Sequence, residues 1–197
     1  MAPRVGPPLV RLRGYGVRPR DAVPRFLTVA RVGEYVRVAD PSWRDPLSGD
    51  FARRLGGRWN PPGGFAVVYL NGDARVARAN VFARFAGLPY GPEDLEPAAA
   101  PVLVSADVEP DDFADLVSDA GCVSAGLPAT YPTDSGGRTV PHQDCRPVGR
   151  AAWDAGLPGI ACRSAAPAAP TGGEELAWFP RGRRLAVTGV KAFADWF

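Results

Sequence analysis

Gly56-Gly57-Arg58-Trp59-Asn60-Pro61-Pro62-Gly63-Gly64 runs without a break into Phe65-Ala66-Val67-Val68-Tyr69-Leu70. Two glycine pairs bracket an arginine, an indole and an amide, and two prolines stiffen the segment. Such a loop lets backbone approach a ligand closely while it presents a guanidinium and a flat ring. The apolar run behind it reads as a buried strand, which anchors the loop and leaves Arg58 little freedom to move away.

Outward from this loop, Glu34 to Ala39 alternates and predicts a strand with Arg37 on one face, and Asp40 to Arg54 reads as a loop. On the other side, Asn71-Gly72-Asp73 is a turn signal. Asp73 is placed to cap a helix over Ala74 to Ala86 that Gly87 and Pro89 close. Val76, Asn80 and Ala83 share one side of that helix. A strand is expected over Val102 to Val108, a short helix from Asp111 to Val117, and a helix over Pro147 to Ala155 that stops at Gly156. Gly159 to Ser164 looks like a buried strand ending in a hydroxyl. Strands near Leu176 to Phe179 and Leu185 to Val190 precede a short terminal helix. Gly121 to Gln143 is turn-rich and has no assigned element. Its polar part, to Gly137, suits a surface loop or a lid over a pocket. Strands outnumber helices without alternating with them, so the class is α+β, with mixed and antiparallel sheets flanked by short helices.

With 197 residues, 46% hydrophobic, the chain is long enough for one sizeable core. Residues 1–33 form a basic, proline-containing extension, carrying Arg4, Arg11, Arg13, Arg18, Arg20, Arg25 and Arg31 against Asp21 alone; 34–197 form the domain proper. Only Tyr15 and Phe26 are interleaved as aromatics, so the extension reads as a solvated segment rather than a nucleic-acid arm. A net charge of +2 demands no nucleic-acid partner. The thiols Cys122, Cys145 and Cys162 lack CxxC spacing, and His142 is the single histidine, which argues against a metal site. Pairing His142 with Cys145 or Cys122 as base and nucleophile needs a meeting in space that the sequence does not show. No stretch approaches the roughly 20 apolar residues of a membrane span, and no signal-peptide pattern opens the chain. A cytoplasmic protein with reduced thiols is expected.

Arg37 in a first strand, Gly57-Arg58-Trp59-Asn60 with Gly63 beyond, Tyr69 on the next strand, the helix after it, and Gly156-Leu157-Pro158-Gly159-Ile160 leading to Ser164 together resemble the RES domain. That family is named for an arginine, a glutamate and a serine. The resemblance covers roughly residues 35 to 180, most specifically from the Gly-rich loop to Tyr69. It implies an ADP-ribosyltransferase-like fold. It also implies the toxin of a bacterial toxin–antitoxin pair that consumes NAD+ by phosphorolysis or hydrolysis, or that ADP-ribosylates a protein. The implied partner is a helix-turn-helix, Xre-like antitoxin that occludes the NAD+ pocket; oligomeric state stays open. The resemblance makes Arg37, Arg58 and Tyr69 NAD+-contacting residues, places Ser164 as the signature serine, and brings no metal; Trp59 joins the binding candidates because its ring can stack on a flat group.

These residue types suit the chemistry. Breaking the nicotinamide–ribose bond develops positive charge on the sugar while the diphosphate must be held, and guanidiniums offer paired donors to phosphate at any physiological pH. A carboxylate normally steadies the sugar. Here the sequence departs from the family: Asn80 stands eleven residues past Tyr69, where the signature glutamate is expected, and no Glu or Asp lies between Asp73 and Glu93. An amide accepts a hydrogen bond but carries no charge and is no base. Either Glu174 or Glu175 supplies the acid, or the pocket serves binding or a reaction whose nucleophile needs no base, or the helix register differs. The alternative function is a repurposed nucleotide-binding or protein-interaction module. If the site is otherwise intact, Asn80→Glu is expected to raise turnover. Structural roles compete at each residue: Arg58 bracing its own turn, Arg37 pairing with Asp40 or Asp45, Tyr69 as a core tyrosine, Trp59 as packing.

Overall fold

The computed structural model describes residues 25–197. The N-terminal arginines up to Arg20, with Tyr15, fall outside the described residues.

Strand β1 (Thr28–Ala39) is longer than the alternation from Glu34 suggests, because Thr28 to Arg31 also finds a partner. It pairs antiparallel with β3 (Val102–Leu116), from Thr28 opposite Ala114 to Ala39 opposite Val102, with a register shift between Arg31 and Gly33. The sheet therefore takes in Thr28 to Gly33, which the sequence assigned to the extension. On its other edge β1 meets β2 (Val68–Asn71) at the single pair Val36–Asn71. Strand β2 continues to β5 (Glu174–Trp178), β5 to β4 (Gly159–Arg163), and β4 runs parallel to the C-terminal half of β3. These pairings return to β1, so β1-β2-β5-β4-β3 forms a closed ring to which β6 (Val187–Lys191) adds along β3.

Three buried clusters fill the molecule. One gathers Tyr35, Val68, Leu70, Val104, Phe113 and Leu176 from the ring strands. A second holds Trp59, Phe65, Tyr131, Cys145, Ile160 and Phe179, beneath α4 (His142–Asp154) and α3 (Asp119–Ser124). The third seats α2 (Ala74–Phe85) and the terminal α5 (Phe193–Trp196) against Val36, Val38 and Leu103.

Helix α2 forms as expected: the Asp73 carboxylate accepts from the amide of Val76 at 2.9 Å, satisfying a donor the helix itself cannot use. Two local expectations fail, and a third element starts earlier than expected. Asp111 to Leu116 continues β3 instead of starting a helix, because β1 and β4 pair with it on both sides and tertiary pairing outweighs local preference. The loop from Asp40 contains a short helix, α1 (Asp50–Leu55). Helix α4 begins at His142 and carries Pro147 inside rather than at its start. The Gly121–Gly137 stretch is no lid: Tyr131 is fully buried, and Arg163 binds the carbonyls of Ala129 and Tyr131 at 2.8 Å each.

Candidate active site

Beyond their one shared register pair, β1 and β2 diverge, and a cavity of about 560 Å3 occupies the divergence. That volume lies within the roughly 300–1,000 Å3 of small-molecule sites. Arg37, Arg58, Tyr69, Asn80, Arg84 and Glu175 all line it. Separate segments thus deliver to one space most of the residues singled out in the sequence.

The Arg58-Trp59-Asn60 triplet divides its work. Arg58 lines the cavity and is held by the carbonyl of Val140 at 2.9 Å. Asn60, fully buried, latches the loop by donating to the carbonyls of Ala52 at 2.7 Å and Phe65 at 3.2 Å. Trp59 corrects the expectation of ligand contact: 1% exposed, it packs on Tyr131 in the core, where so large an apolar surface is best removed from water. Tyr69 ties the three together, accepting from the amide of Trp59 at 2.9 Å and donating to Asn60 Oδ1 at 2.8 Å. Its hydroxyl braces the loop and its ring faces the cavity. Gly57 comes so close to that ring that a Cβ would overlap it, so the glycine serves packing against Tyr69.

Arg37 is buried, donates to the carbonyl of Ser48 at 2.9 Å and lies over Trp43. Burial, with a smaller contribution from Arg84, lowers its pKa to about 10, against a weaker opposing pull from Asp45. Arg84 is exposed at the rim, so it stays in touch with water even though the surrounding walls lower its pKa. The sequence reading missed it, although it stands one helical turn beyond Asn80. Among the described residues, none of Arg37, Arg58 and Arg84 forms an ion pair. Unpaired guanidiniums converging on one hollow leave the site ready for an anion.

The carboxylate comes from β5. Glu175 lines the cavity, and its Oε1 accepts from Asn80 Nδ2 at 2.9 Å and from Ser164 Oγ at 2.6 Å. Asn80 also donates to Asn71 Oδ1 at 2.9 Å, which fixes its amide. Oε2 of Glu175 has no protein donor among the described residues. Glu174 is used otherwise: Arg31 grips both its oxygens at 2.6 Å and Tyr35 adds a bond at 3.2 Å. Ser164 is off the cavity wall and reaches it only by its bond to Glu175. His142, at the first turn of α4, does line the cavity, and burial together with Arg58 and Arg146 lowers its pKa, so it is neutral there. Cys122, Cys145 and Cys162 are buried, and burial raises their pKa values, which is the reverse of a nucleophile's needs.

A larger hollow of about 690 Å3 is lined by residues of the Arg44–Asp50 segment together with Trp178, Arg183 and Arg184. Its arginines are mixed with Asp45 and Asp50, and Arg183 is bound to Asp111. Among the described residues Arg44 and Arg184 there also lack ion pairs, so what sets the first cavity apart is the carboxylate of Glu175, held by Asn80 beside its arginines. No helix among the described residues is long and apolar enough to cross a membrane.

A cleft between diverging strands, lined by unpaired arginines and one steadied carboxylate, marks this α+β domain. Residues 34–193 match the RES domain family, and the chain belongs to it. It is similar to the NAD(+) phosphorylase MbcT of Mycobacterium tuberculosis and of Mycobacterium bovis. Identity is 36% over 120 residues, 59% of this chain and 60% of each relative. The match thus spans about 60% of those relatives' length. The crystal structure of the M. tuberculosis MbcT-MbcA toxin-antitoxin complex superposes with a TM-score of 0.68 at 27% identity, over 83% of this chain and 85% of that one.

Proposed function

We propose that this protein cleaves NAD+ at the nicotinamide–ribose bond, with Glu175 as the carboxylate that other RES domains are expected to carry on the helix. The observation that supports this most is the cavity-lining carboxylate of Glu175, held by Asn80 on the wall and by Ser164 behind it. Two donors hold one carboxylate oxygen and leave the other for substrate. Glu175 would accept from a ribose hydroxyl and offset the positive charge that grows on the sugar. As the C1′–N bond breaks, its electron pair goes to the ring nitrogen of the pyridinium, and nicotinamide leaves neutral, so no group need protonate it. The incoming nucleophile forms the new bond at C1′. Phosphate suits this site as that nucleophile, because it arrives as an anion and needs no proton removed; the similarity to NAD(+) phosphorylases supports the same acceptor. Arg37, Arg58 and Arg84 would hold the anions.

In this reading the protein is the toxin of a pair acting in the cytoplasm, restrained by a helix-turn-helix antitoxin. The similarity to one half of a toxin–antitoxin complex supports a partner. The amide at position 80 favours a second reading, a nucleotide-binding module without turnover. One assay separates them: nicotinamide release from NAD+ by purified protein, with and without phosphate. Release that rises with phosphate is expected. NAD+ left intact in both conditions sinks the enzymatic reading.

A further inference from the structure

A second hollow of about 400 Å3 adjoins the first. Val38, Trp43 and Arg84 line both, so the two are lobes of one cleft, with Arg84 on the ridge between them. The lobes differ in chemistry. The first holds Glu175, Asn80 and Arg58; the second is walled by Phe85, Leu88, Tyr90 and Leu95. Of its acid, Asp40, one oxygen, Oδ1, accepts from the amide and hydroxyl of Ser42. Tyr90 is 51% exposed and Leu88 46%, a large apolar area to leave facing water around a hollow. The Tyr90 ring stands edge-on to Phe85 at 5.9 Å, which holds it upright at the mouth of the lobe.

We propose that this second lobe seats the adenine nucleoside of the dinucleotide, while Arg37 and Arg84 hold the diphosphate on the ridge. The proposal rests on the NAD+ reading above and says which end of the substrate goes where. A flat base with apolar faces matches a lobe with an aromatic and aliphatic wall. A doubly charged linker between two flat groups matches unpaired cations between two lobes. The cleft consequently selects a dinucleotide over nicotinamide mononucleotide, which fills one lobe only.

Calorimetric titration with ADP and, separately, with nicotinamide mononucleotide tests this without requiring turnover. ADP is expected to bind, and Tyr90→Ala to weaken it about tenfold, the loss of one base–aromatic stack. Ala99→Trp, which fills the lobe from an exposed position, is expected to weaken it at least as much. Neither variant is expected to change binding of the mononucleotide. Failure of the wild type to bind ADP, unchanged ADP binding in both variants, or equal losses for both ligands overturns the proposal. ADP binding that responds to Tyr90→Ala upholds the lobe even where no nicotinamide is released, a result that sinks NAD+ cleavage alone.

Discussion

Asn80 and Glu175 touch at 2.9 Å, and that contact changes what each is expected to do. Judged from the sequence, an amide at the signature position is a defect that Asn80→Glu repairs. Judged from the site, Asn80→Glu sets a second carboxylate against the first, and like charges so close oppose each other's ionisation. Nicotinamide release is therefore expected to fall in Asn80→Glu and to fall about 100- to 1,000-fold in Glu175→Gln, the usual cost of one preorganised electrostatic group. The exchange Asn80→Glu with Glu175→Gln is expected to recover activity above either single variant; additive losses would show that the two do not act as a unit. Arg37 makes a second prediction. Its pKa of about 10 lies below the ordinary 12.5, so affinity for a diphosphate is expected to drop as pH rises through about 10. The same shift means that the folded state binds fewer protons than the unfolded chain above that pH. The stability cost of burying charged Arg37 at neutral pH is thus relieved there. Titrating ADP across pH 8 to 11 checks the first statement; affinity that stays flat to pH 11 contradicts it.

At the scale of elements, α2 and its cap were legible because the signals are local: a carboxylate three residues before an amide it can reach, and a glycine past the end. It carries both Asn80 and Arg84 to the cavity, and only the first was recognised. The acidic start of Asp111 to Leu116 misled for the opposite reason. Its carboxylates resemble a helix's first turn, but strands on both sides claim its backbone. Helix α4 shows what a spacing argument misses. Gly149 sits where a Cβ would collide with the carbonyl of Trp59, so α4 lies directly on the Gly-rich loop. Gly149→Ala is expected to cost about 1–3 kcal/mol by overpacking and to weaken binding of nicotinamide mononucleotide by displacing Arg58 from the first lobe. Urea denaturation with parallel titration of the mononucleotide measures both, and wild-type values for both would show that the helix moves aside freely.

The whole molecule closes on itself through β1. Its first residues pair with the far end of β3, and Arg31 grips Glu174 next to Glu175. The sequence placed the domain boundary after residue 33; we propose that it lies before Thr28, since those residues complete the ring. Arg31→Ala leaves Glu174 without its bidentate partner and is expected to lower stability by about 1–3 kcal/mol. It is also expected to lower nicotinamide release more than ADP binding, because Glu174 and Glu175 share a strand. A thermal midpoint and activity both equal to wild type would argue that the N-terminal segment is dispensable.

By itself the sequence determined the α+β class, the α2 helix with its cap, and the family, since each rests on short-range spacing of glycines, apolar residues and an arginine-aromatic-amide triplet. Only the tertiary structure decided that Trp59 belongs to the core, that Arg84 joins Arg37, and that the carboxylate arrives from β5. These depend on which strands become neighbours, and Asn80 and Glu175 are 95 residues apart along a chain whose local signals say nothing of that meeting.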